Sequence, residues 1–157
     1  MTYALDPIDD SFFDTAPIVV PATVELDAPP QRVWDALGSD EMWSWAPIID
    51  RLQWLPPLNG TPVRRLRLFG LATIEEEFYR WEEPRRATFR VRESTRPLLR
   101  GLAEDFVLEE LPGGRTRLTW TMALAPNGPV PPALGRALSR LLTSGNTLAI
   151  GGLRKIL

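Results

Sequence analysis

The chain has 157 residues, 44% apolar and 24% charged, with a net charge of −2. That suits one soluble domain with a real core and gives no basic surplus for nucleic acid. It contains neither cysteine nor histidine, which excludes disulfides, thiolate nucleophiles, the Ser-His-Asp triad and the usual Cys/His metal sites. Any chemistry must use carboxylates, arginine, tyrosine, the single lysine (Lys155) or water.

Residues 1–17 form an acidic arm, with Asp6, Asp9, Asp10 and Asp14 around Phe12 and Phe13. Two readings stay open: a loose tail, or an arm that docks its phenylalanines on the domain formed by residues 18–157. No basic segment leads into an apolar run here, and no apolar stretch reaches about 18 residues. The expectation is a cytoplasmic protein with no membrane span.

Residues 18–27 alternate, with Val20, Ala22, Val24 and Leu26 on one face, and predict a half-buried strand. Pro29 and Pro30 open a helix with Val33, Trp34, Ala36 and Leu37 on its apolar side, and Gly38 stops it. A second helical turn is expected from Ser39 to Trp45. Strands are expected near 50–55, 62–69, 71–82, 86–94, 101–111 and 115–124. Short turns such as Asn59-Gly60 and Pro112-Gly113-Gly114 make neighbours antiparallel. Pro131 to Leu157 predicts one long helix, with Leu134, Leu138, Leu141, Leu142, Ala149, Leu153 and Ile156 on an apolar stripe. Gly145 and Gly152 fall on that stripe, although an interior glycine costs roughly 1 kcal/mol relative to alanine. They suggest a helix standing over a cavity, Gly145 facing inward.

The predicted fold class is α+β: a curved seven-stranded antiparallel sheet wrapped around a long C-terminal helix, with two short helices after the first strand.

This order, with several local motifs, resembles the START-like (SRPBCC) superfamily and its helix-grip fold, within it the polyketide cyclase/dehydrase and lipid-transport group. The motifs are Leu26-Asp27-Ala28-Pro29-Pro30 before Val33-Trp34, then Trp45-Ala46-Pro47. They continue with Glu76 and Phe78 ahead of Trp81-Glu82-Glu83-Pro84-Arg85-Arg86 and Phe89, and end at Gly113-Gly114-Arg115-Thr116-Arg117-Leu118-Thr119-Trp120. The resemblance implies a lipid or sterol carrier, an aromatase/cyclase, a hormone receptor or a chaperone activator, since the fold hosts all of these.

Strand parity assigns the pocket lining. Inward positions are Arg64, Leu66 and Leu68; Ile74, Glu76 and Phe78; Phe89 and Val91, extending to Glu93; Glu104 and Phe106; Trp120 and Met122. Leu138, Leu142, Gly145 and Ala149 face them from the last helix, and Trp45 stands at the mouth. Glu76 sits between buried apolar neighbours, either as a structural partner of Arg64 or as a pocket acid. Glu93 and Glu104 are pocket or rim residues. The favoured reading is a protein binding a hydrophobic small molecule (lipid, polyketide or terpenoid-like) without cofactor or metal. One alternative is a cyclase or dehydratase using Glu76 for proton transfer and Arg64 for charge stabilisation. The other is a protein-interaction domain. Oligomeric state is left open.

Overall fold

The computed structural model describes residues 1–39, 46 and 48–157. The short helical turn expected at Ser39–Trp45, with Trp43 and Trp45, lies almost wholly outside the described residues. In chain order the elements are β1 (Tyr3–Ala4), α1 (Phe12–Thr15), β2 (Ile18–Leu26), α2 (Pro30–Leu37), β3 (Ile49–Leu58) and β4 (Thr61–Leu68). There follow β5 (Ala72–Glu82), β6 (Arg86–Ser94), β7 (Leu99–Leu111), β8 (Arg115–Pro126), α3 (Pro132–Gly151) and a 3-10 turn at Gly152–Lys155.

Seven strands pair antiparallel in the order β2-β8-β7-β6-β5-β4-β3, and β1 adds to β6. The architecture is the expected α+β one. β1 is an addition to it, and the last helix is shorter: Gly152 caps α3 and the chain tightens into a 3-10 turn. Gly152 therefore ends the α-helix, where the sequence reading had it relieving a cavity wall.

Inward parity builds the core. Val24, Leu26, Leu66, Ile74, Phe78, Phe89, Phe106, Leu118 and Trp120 join Val33, Trp34 and Leu37 of α2, and Ile150 and Leu153 cover them from the carboxyl end of the chain. Two bulges on β5–β6 alter the parity. The register slips between Glu75 and Glu76 and again between Glu77 and Arg80. The first puts an extra residue on β6, so that Ser94 is buried and Glu93 lies at the surface beside Arg92. The inward set therefore does not extend to Glu93.

The arm lies against the sheet. β6 pairs with β7 only from Arg86 to Arg90. Beyond that point the arm bridges the two strands: Leu5 N–H donates to the Arg92 carbonyl and Asp6 N–H to the Arg100 carbonyl. Leu5 is buried in the core. Further along, Phe12 rests directly on Gly101, where a Cβ would lie 3.0 Å from the ring and push it outward. Asp10 accepts hydrogen bonds from Tyr79 and Arg80 on the convex face.

α3 packs along β2, not flat over the sheet. Ser139 Oγ accepts from the Val19 N–H at 3.3 Å, and Gly135 passes so close to Pro17 that a Cβ would lie 2.4 Å from its carbonyl oxygen. Close packing thus demands glycine at 135. Gly145 is exposed, with open space around its α-carbon, which corrects the expectation that it is turned from solvent. Leu142 is also exposed, with Leu134, Leu141 and Leu148. The helix touches β2 with a face rotated from its apolar stripe, because Gly135 and Ser139 permit a closer approach than leucine would.

Candidate functional site

β4 and β5 pair with Arg64 opposite Glu76, and Glu76 in turn lies opposite Val91 on β6. Two strands further on, β7 and β8 place Glu104 opposite Met122 and Phe106 opposite Trp120. All these residues except Met122 are buried, Arg64 at 2% exposure, Glu76 at 1% and Glu104 at 8%. The concave face therefore holds one guanidinium and two carboxyl groups in a largely apolar wall.

Arg64 Nε donates to Glu76 Oε2 in a fully enclosed ion pair. The guanidinium carbon lies 4.9 Å from the ring centres of both Phe78 and Phe89, and 5.9 Å from that of Trp54. Such aromatic faces stabilise a cation that has lost its water. The Trp120 indole N–H donates to Glu104 Oε2 at 2.8 Å. No other described residue hydrogen-bonds to the Glu104 carboxyl group.

One cation cannot neutralise two carboxylates. Burial pushes both carboxyl groups above their ordinary range. Arg64 opposes this most strongly at Glu76, which it contacts. Glu104 suffers burial and the nearby Glu76 charge, against weaker relief from Arg64 and Trp120, and is pushed up to about 8. The cluster thus pairs Arg64 with Glu76, and holds a Glu104 pushed up far enough to be largely protonated at neutral pH. A protonated carboxyl is both hydrogen-bond donor and proton source, and the chain has no histidine to take either part.

An aromatic arc runs from this cluster toward the surface. Trp120, Phe106, Phe89 and Phe78 follow at centre separations of 5.7, 5.4 and 4.5 Å. Phe78 then meets Trp81 edge-on at 5.2 Å and Trp54 at 5.5 Å, and Trp81 meets Trp34 edge-on at 5.0 Å. The outer part of this arc, with Leu37, Gly38, Arg64, Ala87 and Phe106, lines a cleft of about 270 Å³ counted to its open mouth. Its enclosed part has room for about one water.

Of the residues assigned by parity, Arg64, Leu66, Ile74, Glu76, Phe78, Phe89, Val91, Glu104, Phe106 and Trp120 are buried on the concave side, and Leu68, Met122 and Ala149 pack partly buried against them. Leu138 is half-buried. Leu142 and Gly145 are exposed, and Trp45 lies outside the described residues. Sequence reasoning missed Trp34 and Trp81 as cleft residues. Trp81 lies three residues beyond Phe78, an odd step that parity sends outward; the bulge between Glu77 and Arg80 turns it back. It also missed Asn146, whose buried amide nitrogen has no acceptor among the described residues.

The profile of a family described as polyketide cyclase / dehydrase and lipid transport matches residues 17–157. An uncharacterized protein of Mycobacterium tuberculosis is 34% identical over 135 residues, 84% of this chain and 80% of the relative. Among solved structures, a START superfamily protein from Mycobacterium smegmatis superposes with a TM-score of 0.72 at 17% identity, covering 87% of this chain and 94% of the other. The Zhui aromatase/cyclase from a Streptomyces species gives 0.65 at 18%, covering 88% and 95%. At these identities the structural likeness shows the fold.

Proposed function

Since the chain belongs to the polyketide cyclase / dehydrase and lipid transport family, we propose that it binds a hydrophobic small molecule carrying at least one oxygen function, against the concave face of the sheet. The observation that carries this reading is the buried Arg64–Glu76–Glu104–Trp120 cluster. Two carboxyl groups and a guanidinium are costly to bury for architecture alone. In an apolar binding site, a few polar groups of this kind fix a ligand's orientation. Protonated Glu104 donates to a ligand carbonyl or hydroxyl, Arg64 and Glu76 form the polar wall beside it, and the aromatic arc takes the hydrocarbon. The narrow cleft implies that Trp34, Trp54 and Trp81 shift as a ligand enters.

The cluster also favours a second reading, a cyclase or dehydratase acting on a carbonyl-rich chain. Glu104 would protonate a carbonyl oxygen, Glu76 would accept a proton, and Arg64 would stabilise the developing enolate. This moves the acid's role from Glu76, as the sequence suggested, to Glu104.

The test is mass spectrometry of the compounds that co-purify with the native chain, compared with Glu104→Gln and Arg64→Met. The binding reading expects an apolar, oxygen-bearing compound in the native protein and a marked loss in Arg64→Met. No bound compound from several host sources, with no uptake of added fatty acids or polyketides, overturns it. Turnover of an added polyketide that falls by about 10²–10⁴-fold in Glu104→Gln favours the enzyme.

A further inference from the structure

Strand alternation brings the Ile48 region, the β4–β5 turn and the β6–β7 turn to one end of the sheet, and direct bonds tie them together. Phe69 N–H donates to the Ile48 carbonyl. Arg96 Nε donates to the Leu71 carbonyl at 3.0 Å. The Leu98 carbonyl accepts from Asn127 N–H beside them. This end carries four large apolar side chains in water: Phe69 at 66% exposure, Leu71 at 69%, Leu98 at 70% and Ile48 at 42%.

The turn at the centre of this patch is not shaped for its own stability. β3–β4 and β4–β5 both turn through two consecutive left-handed residues. The first uses Asn59 and Gly60, with φ of 52° and 82°; the second uses Phe69 and Gly70, with φ of 51° and 65°. Asparagine and glycine adopt this conformation readily, whereas an aromatic residue is strained in it. Phe69 bears that strain with most of its ring in solvent, so neither conformation nor core packing accounts for it.

Charge completes the pattern. Arg51 and Arg67 lie directly opposite one another on β3 and β4, both exposed, an arrangement in which like charges repel. Nearby arginines Arg65, Arg92 and Arg100 have carboxylate partners. Among the described residues, Arg51, Arg67 and Arg96 have none within ion-pair distance; the guanidinium groups of Arg67 and Arg96 donate only to backbone carbonyls. The Asp50 carboxylate at this end is taken up by the Gly70 N–H.

We propose that this end of the sheet docks on an anionic lipid surface, with Phe69, Leu71, Leu98 and Ile48 entering the acyl boundary while Arg51, Arg67 and Arg96 meet the phosphates. Charge complementarity selects this occupant. A second copy joined through the same patch by a two-fold axis would bring arginines against arginines. A lipid interface supplies an apolar layer bordered by anions, in the order in which the side chains stand. The proposal rests on the surface alone and holds whatever occupies the Glu104 site.

The experiment is flotation of the full chain with vesicles of phosphatidylcholine, alone or mixed with phosphatidylglycerol, at low and high salt. Expected is flotation on the mixed vesicles, little on neutral ones, and weakening by salt. Phe69→Asn with Leu71→Ser should lower partitioning by at least about tenfold. The melting temperature should be unchanged or higher, because asparagine relieves the turn. Arg67→Gln and Arg96→Gln should each cost about fivefold on anionic vesicles. Leu58→Ser, at the opposite end of the sheet, should change nothing. Absence of flotation on anionic vesicles overturns the proposal, as does flotation that Phe69→Asn/Leu71→Ser leaves intact or that Leu58→Ser reduces equally. Self-association in sedimentation velocity, abolished by Leu71→Ser and without vesicle binding, also overturns it and assigns the patch to a second copy. Binding of polyglutamate but not of vesicles overturns it in favour of an acidic protein.

Discussion

Arg64 and Arg65 are consecutive residues on β4, and each meets a glutamate at the adjacent register position on β5, Glu76 and Glu75. The same pair of residue types occurs twice, one step apart, on opposite faces of one hairpin. The convex pair sits where Arg65 is nearly half exposed, its Nε 3.0 Å from Glu75 Oε1. Water screens it, and its contribution is about 0–1 kcal/mol. The concave pair is enclosed, stacked on phenylalanine rings, and faces a second acid. Sequence alternation therefore decides little about what an ion pair does. The dielectric on each side of the sheet decides it.

The sharpest way to break the comparison is to remove each arginine. Arg64→Met leaves two buried carboxyl groups without a counter-charge, and should lower unfolding stability at pH 7 by about 3–5 kcal/mol in denaturant titrations. An effect as small as that of Arg65→Gln would mean that water reaches the concave face freely.

Next in size is the pH dependence. In the native state Glu104 is pushed up to about 8, against an ordinary value of 4.5. Between those values the folded chain holds a proton that the unfolded chain has lost, so stability is fully present below about pH 4.5 and declines as pH rises to about 8. Glu76 is shifted the same way and adds to the decline. No histidine is present to confuse the reading. Melting temperatures measured across this window should fall with pH in the native chain, and Glu104→Gln should flatten part of the slope, Glu76 supplying the rest. A native profile rising from pH 5 to 8 sinks the protonated-acid assignment.

A smaller effect belongs to the convex face, which the arm covers. Ala103, Ala123 and Ala125 are fully buried there although their parity points outward, and Phe12 lies on Gly101. Phe12 is only half-buried, so Phe12→Ala should cost about 1–2 kcal/mol, less than a core phenylalanine. Deletion of residues 1–16 should cost more, because it also withdraws Leu5 from the core and unpairs the β6 backbone. Unchanged stability after that deletion would show the arm to be energetically idle. The smallest effect is Arg65→Gln, expected within about 1 kcal/mol of the native chain. A larger loss would mean that the convex pair is less hydrated than its exposure indicates.

Much of this site could be read from strand parity. Ile74, Glu76 and Phe78 alternate without interruption, and the Leu66 and Arg64 positions follow the same rule on the paired strand, so their shared face was legible. Trp81 and Glu93 were not, because each lies beyond a bulge, and one unpaired residue inverts everything after it. Glu104 had the right parity, but sequence could not say whether it lay at a rim or in the interior; its burial depends on Trp120 and Arg64, 16 and 40 residues away. The glycines of α3 misled for a related reason. Periodicity shows which residues share a helix face, and only the docking against Pro17 shows that Gly135 is the one that must lack a side chain.

The sequence by itself determined the order of the seven main strands and the last helix, the antiparallel sheet, the apolar concave face and the absence of histidine and cysteine chemistry, because these depend on local periodicity and on residue identity. Tertiary structure alone decided that one arginine must serve two buried acids, that the arm bridges β6 and β7, and that α3 leans on β2 with its leucine stripe partly in solvent. Those outcomes depend on distances between residues far apart in the chain and on how much water is excluded between them, quantities that no local pattern encodes.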